Sequence, residues 1–203
     1  MTFVERPLSW IIRLIFRING GLEVKGIDNI PMEGGVIVAS NHISYLDPPL
    51  LGAIIPRKVT FMARRGLFDI KVPLLRWFIR HYAFPVDREK TLPSTIKEAL
   101  RRLKNRELLV IFPEGRRSET GGLLEGKKGI GLIVGRSRVA VVPALIQGTD
   151  RALPVGGKWL RKAKISVIFD KPLYFSENNS ELITKKIMTL IGELKKDHAD
   201  SSS

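Results

Sequence analysis

Short apolar runs of five to eight residues recur along the chain, rich in β-branched and aromatic side chains. They fall at residues 34–40 (GGVIVAS), 58–63 (KVTFMA), 82–86 (YAFPV), 107–112 (ELLVIF), 139–146 (VAVVPALI) and 163–169 (AKISVIF). That length and composition predict strands. Segments of helical character lie among and after them, at Pro48–Ile55, Pro73–His81, Pro93–Lys104, Lys128–Gly135 and Ser180–Lys195. In the third, Ile96, Leu100 and Leu103 share a face opposite Lys97, Arg101 and Lys104, and Pro93 suits a first turn, where its missing N–H is no loss. Strands alternating with helices predict an α/β domain with a mixed, largely parallel sheet flanked by helices.

The first apolar stretch, LSWIIRLIFRI from Leu8 to Ile18, is shorter than the roughly 20 residues a membrane-spanning helix needs. Wound as a helix, it gathers Arg6, Arg13 and Arg17 into a narrow sector and leaves Leu8, Ile11, Ile12, Leu14, Ile15 and Ile18 on the broad remainder. Such a helix can lie in a membrane interface, with arginines at lipid phosphates and Trp10 and Phe16 near the headgroups. Packing on the protein's own core fits the same pattern. The segment 66–84, apolar and aromatic but punctuated by Lys71, Arg76 and Arg80, is open to the same pair of readings, or to walling an acyl-chain pocket. Three parts are expected: an amphipathic interfacial segment at 1–20, one folded domain at 21–197, and a disordered tail at 198–203 (HADSSS).

Charge changes the picture. Lys and Arg number 34 against 20 Asp and Glu, a net charge of +14 over 203 residues. An anionic partner is expected, and nucleic acid, an acidic membrane, a phosphorylated substrate and an acidic carrier protein all fit. No recognition helix or base-stacking motif is apparent, so no nucleic acid is expected among the partners. The absence of cysteine excludes disulfides and thiolate chemistry. Arginines inside the first apolar segment and the lack of a small-residue cleavage site argue against a secretory signal, which points to the cytoplasm.

Reactive groups in open α/β sheets gather beyond the carboxyl ends of strands. Here VIVAS runs into Asn41-His42, LLVIF runs into Pro113-Glu114-Gly115-Arg116-Arg117-Ser118, and AFPV runs into Asp87-Arg88. If those edges lie side by side, a single pocket contains a histidine, a carboxylate and several guanidiniums. An imidazole, with an unperturbed pKa of about 6.5, accepts a proton at neutral pH when a carboxylate on its other nitrogen fixes its tautomer. Asp47 is the nearest carboxylate in sequence, and Pro48-Pro49 opening a helix would turn it back toward His42. Arg88, Arg116 and Arg117 suit a phosphate, because a planar guanidinium donates two parallel hydrogen bonds. A G-x-S-x-G elbow, a Walker loop and histidines paired at metal spacing are all missing, so no metal is expected, and Ser44 and Ser118 read as hydrogen-bonding supports rather than nucleophiles.

These residues resemble a known family, the glycerolipid acyltransferases, and within it the 1-acyl-sn-glycerol-3-phosphate acyltransferases. Asn41-His42-Ile43-Ser44-Tyr45-Leu46-Asp47 matches the NH-x-S-x-x-D block. Phe84-Pro85-Val86-Asp87-Arg88 is similar to the second block, Phe112 to Ser118 to the F-P-E-G-T-R-S block, and Val142-Pro143 with Gly148-Thr149 to the fourth. Arg116 stands where the family usually has Thr, Tyr82 where Gly often opens the second block, and Ala144 where Val commonly follows the proline. The resemblance, over about residues 20–175, implies acyl transfer from an acyl carrier protein or coenzyme A thioester to the sn-2 hydroxyl of lysophosphatidic acid, with no cofactor. His42 and Asp47 would be the general-base pair. Asn41, Ser44, Arg88, Glu114, Gly115, Arg116, Arg117 and Ser118 would bind substrate, Glu114 by bracing the arginines or holding the glycerol. A lipid acceptor implies an anionic membrane surface as partner and a place on the cytoplasmic face of the cell membrane. Another lyso-lipid or glycerol-3-phosphate as acceptor, and a non-catalytic binder of anionic membrane or nucleic acid, stay open.

Overall fold

The computed structural model describes residues 5–86, 93–157 and 159–200. Helix α1 (Glu5–Ile18) leads into β1 (Leu22–Lys25), then β2 (Val36–Ser40), α2 (Asp47–Ile54), β3 (Val59–Arg64), α3 (Pro73–Tyr82) and β4 (Ala83–Val86). The second half runs α4 (Pro93–Lys104), β5 (Leu108–Ile111), α5 (Lys128–Ser137), β6 (Ala140–Gln147), the single turn α6 (Thr149–Ala152), β7 (Ile165–Phe169) and α7 (Ser180–Asp200). Among the described residues seven strands form one sheet in the order β1-β7-β6-β2-β5-β3-β4, parallel except where β6 meets β7. A mixed, largely parallel sheet is what the sequence pattern predicts. Strand β1 is the exception in reach: LEVK alternates two apolar with two charged residues, too little apolar character to stand out.

Alternation along the central strands builds two cores, one on each face of the sheet. Val36 and Val38 of β2, Leu108 and Val110 of β5, and Val142, Ala144 and Ile146 of β6 join the layer that contains Phe16 of α1 and Leu50, Leu51 and Ile54 of α2. Their neighbours Ile37, Ala39, Leu109, Ile111, Val141 and Leu145 face the layer of α4, α5 and α7, among them Ile96, Leu103, Ile133, Ile183 and Ile187. Strands buried on both faces lose the polar alternation of a surface sheet, which is why they read as unbroken apolar runs. Helices α5 and α7 press close enough that a Cβ on Gly131 would lie 1.9 Å from the Ser180 carbonyl oxygen. No side chain larger than hydrogen fits there.

Two expectations change. Arg13 does not turn toward lipid phosphates: its Nε and Nη2 donate to the carbonyls of Ala53 and Ile54, at 2.7 and 3.0 Å, satisfying acceptors at the end of α2. Helix α1 is thereby fastened to α2, with Phe16 buried and Trp10, Ile11, Leu14, Ile15 and Ile18 exposed. Helix α7 runs to Asp200, past the start of the tail expected at 198, and 201–203 lie outside the described residues. Among the described residues no helix is long and apolar enough to cross a membrane.

Candidate active site

Strands β2 and β5 are neighbours and parallel, so the segments that follow them emerge together at one edge of the sheet. Asn41 ends β2 by substituting its side-chain amide for a peptide group: Nδ2 donates to the Ile146 carbonyl at 2.9 Å, and Oδ1 accepts from the Ile146 N–H at 2.7 Å. Pairing with β6 continues through a side chain while the backbone is freed to turn out of the sheet. His42 sits at that turn. Its N–H donates to Glu114 Oε1 at 2.9 Å and its carbonyl accepts from the Ser118 N–H at 2.8 Å, which locks the two strand-end loops together.

The His42 ring is held on two sides. Its Nδ1 lies 2.8 Å from Asp47 Oδ2, and its face stacks on Phe112 at 4.1 Å between centroids with 18° between planes. Asp47, the first residue of α2, is wholly buried. Oδ2 also accepts the N–H groups of Ile43 and Ser44, at 2.8 and 2.9 Å, and Oδ1 accepts the Thr149 hydroxyl at 2.6 Å. Because a carboxylate is an acceptor, His42 must carry its proton on Nδ1 when neutral, which leaves the Nε2 lone pair available as a base. With 15% of the side chain still exposed, the ring is reachable from outside.

Glu114 does not brace arginines. Its Oε2 accepts from the Leu124 N–H at 2.9 Å while Oε1 serves His42, so both oxygens fix backbone. Burial raises its pKa above the usual glutamate range, against the opposing pull of those two amides. Ser44 is likewise structural: its hydroxyl donates to the Leu153 carbonyl at 2.8 Å and accepts from the Leu46 N–H at 3.3 Å. Gly115 has φ +67°, and a Cβ there would crowd the Lys127 side chain at 3.0 Å. That left-handed backbone is strained for any residue with a side chain.

Arg117 and Ser118 behave differently. The Arg117 guanidinium lies over the Tyr45 ring, 3.4 Å from its centroid, and its Nη1 is buried without a hydrogen-bond partner among the described residues. Ser118 Oγ is in the same condition. Buried donors left unmatched by protein are costly, and two in one loop suit an anionic group arriving from outside. Arg116 is exposed beside them. Arg88 lies outside the described residues, and the strand before it, β4, is the sheet edge, separated from β5 by β3. Two of the three polar strand ends are therefore adjacent, and the third is not. A cavity of about 410 Å³ opens at the amino ends of β3 and β5, away from the strand ends that carry His42. Its arginines are already engaged, Arg57 with the carbonyls of Pro31, Gly34 and Arg106, and Arg102 with Glu98 and Glu107.

Three participants went unassigned in the sequence. Thr149 was visible only as the last residue of the fourth block, Phe112 as the first of the third, and Tyr45 as a variable position between His42 and Asp47. Nothing in the linear order ties residue 149 to residue 47.

A largely parallel sheet with a carboxylate-oriented histidine and an arginine loop at adjoining strand ends agrees with what the resemblance to acyltransferases implies. The Acyltransferase family model matches residues 21–147, and the chain belongs to that family. The 1-acyl-sn-glycerol-3-phosphate acyltransferase of Bacillus subtilis (strain 168) is 34% identical over 166 residues, 80% of this chain and 79% of that protein. The Saccharomyces cerevisiae protein of the same name is 34% identical over 138 residues, 64% of this chain and 45% of its own length. The chloroplastic LPAT1 of Arabidopsis thaliana is longer still, and this chain spans 44% of it at 29% identity. The crystal structure of the 1-acyl-sn-glycerophosphate (LPA) acyltransferase PlsC from Thermotoga maritima matches with a TM-score of 0.77, covering 95% of this chain and 80% of that one at 28% identity.

Proposed function

We propose that the protein transfers a fatty acyl group from an acyl carrier protein or coenzyme A thioester to the sn-2 hydroxyl of lysophosphatidic acid, giving phosphatidic acid. The observation that carries this reading is the His42–Asp47 pair, saturated on the aspartate side and beside an arginine loop with unmatched buried donors. His42 Nε2 takes the proton of the acceptor hydroxyl as that oxygen attacks the thioester carbonyl carbon. The tetrahedral intermediate collapses with breakage of the C–S bond, and the thiolate leaves with the proton returned from Nε2. Asp47 keeps its charge throughout and stabilises the transient imidazolium. Arg117, pinned on Tyr45, holds the acceptor phosphate together with Ser118, and Arg116 and Arg88 are further candidates for that group.

Supporting a lipid acceptor, α1 leaves Trp10, Ile11, Leu14, Ile15 and Ile18 exposed along one side, with Arg17 exposed next to them. That face suits the interface of an anionic membrane, and the cytoplasmic leaflet is the place assigned to it. A labelled transfer assay with lysophosphatidic acid and both donors tests the reading. His42→Ala is expected to lower turnover by about 10²- to 10⁴-fold while the circular dichroism spectrum is retained. Near-normal turnover in that variant removes His42 as the base.

A further inference from the structure

The stretch from Leu153 to Ala163 plays no part in the chemistry above, yet it is braced at both ends. Its root closes through the Arg161 N–H, which donates to the Ala152 carbonyl at 2.8 Å. On one side the Leu153 carbonyl accepts the Ser44 hydroxyl, two residues from His42. On the other, Asn19 at the exit of α1 donates through Nδ2 to the Arg161 carbonyl at 2.7 Å, and its own carbonyl accepts the Ala163 N–H at 2.9 Å. A compact loop thus spans the gap between the catalytic turn and the end of α1, with its ends drawn together.

Its outward side chains are the wrong kind for water. Trp159 is 81% exposed, and Leu160 and Val155 are exposed with it. Single exposed apolar residues are ordinary, but a tryptophan grouped with two aliphatic side chains on one loop marks a contact surface. Charge selects the partner. Between Asp150 and Asp170 the sequence holds Arg151, Lys158, Arg161, Lys162 and Lys164 and no carboxylate. Arg151, Arg161, Lys162 and Lys164 are all exposed, the last of them 3.4 Å from Glu23. Apolar anchors surrounded by one sign of charge match phospholipid, where anionic headgroups overlie acyl chains. The exposed face of α1 begins just across the Asn19 joint and is of the same chemistry.

We propose that residues 154–157 and 159–162 form a second membrane-contact element, in which Trp159 and Leu160 enter the headgroup region of an anionic bilayer beside α1. The proposal rests on the reading of the protein as an acyltransferase of lipid acceptors. One amphipathic helix on a surface is free to roll about its axis. A second contact, offset toward the catalytic turn, fixes the roll and holds the His42 cleft against the lipid.

The chain has three tryptophans, so Trp10→Phe with Trp77→Phe leaves Trp159 as the sole indole. The full chain with those changes is mixed with vesicles of phosphatidylcholine and phosphatidylglycerol, some carrying brominated acyl chains. Emission from Trp159 is expected to shift to the blue and to be quenched by bromines near the headgroups. In the otherwise unaltered chain, Trp159→Ser is expected to weaken partitioning into these vesicles on the order of tenfold. Unchanged, unquenched emission from protein that sediments with vesicles would overturn the proposal. So would a blue shift that needs no vesicles and grows with protein concentration, since that assigns the patch to a second copy of the chain. Transfer to detergent-dispersed lysophosphatidic acid by the unaltered protein is measured in parallel. Its absence removes the acyltransferase reading without touching the Trp159 result, so the two failures are told apart.

Discussion

Four hydrogen bonds converge on the Asp47 carboxylate, from the His42 ring, two backbone amides and the Thr149 hydroxyl. Burying a carboxylate costs several kcal/mol unless its lone pairs are matched, and here they are. Thr149→Val keeps the shape and deletes one donor. It is expected to cost about 1–3 kcal/mol in urea unfolding. Turnover is expected to fall with it, because Oδ1 then has a reason to rotate and take Oδ2 away from His42. Thr149→Ser should restore both, whereas a purely packing role would leave the serine variant as impaired as the valine. His42 and Asp47 were legible because their partnership is local, five positions apart across a turn that Pro48-Pro49 terminates. Asn41 and Glu114 were legible as polar residues at the right place but not as backbone anchors, whereas Ser44 is the hydrogen-bonding support its position suggested. Each spends its hydrogen bonds on backbone, and residue identity does not reveal in which direction an amide or carboxylate points.

Among the elements, α4 carries the best-formed set of surface ion pairs. Glu98 accepts from Arg101 at 2.8 Å on both oxygens and from Arg102 at 2.7 Å, spacings of three and four that place all three on neighbouring turns. The hydrogen bond from Arg101, with help from Arg102, holds its pKa down to about 2. In the unfolded chain the same carboxyl takes a proton at the ordinary glutamate value, so between that value and about pH 2 the unfolded state binds more protons. The contribution of Glu98 to stability is therefore complete above the ordinary range and lost as pH falls through the window. Urea midpoints of the unaltered protein and Glu98→Gln should differ at pH 6 and converge as pH approaches 2. Among the described residues, the strands of the sheet other than β1 and the α-helices longer than one turn were readable from apolar runs and helical spacing. Where α1 would turn Arg13 was not, since a sector of arginines looks the same whether its partner is a phosphate or the carbonyls that end another helix.

For the molecule as a whole, +14 spread over 203 residues is a long-range attraction on which the local contacts are superimposed. Screening lengths shrink from about 10 Å at 0.1 M salt to about 3 Å at 1 M. Sedimentation with anionic vesicles should accordingly weaken across that range, but a remainder due to apolar side chains should persist. Complete release by salt would mean that charge alone holds the protein there. Strand order was not legible from sequence, and it decides the site: β2 and β5 adjoin although α2, β3, α3, β4 and α4 intervene along the chain. The Thr149 bond to Asp47 has a further consequence for synthesis. It joins residues 102 positions apart, so a nascent chain still lacking β6 and the turn after it has no partner for Oδ1. The hydrogen-bond set of Asp47 is then completed only by the closing strands, and a product truncated before Thr149 leaves that carboxylate one donor short.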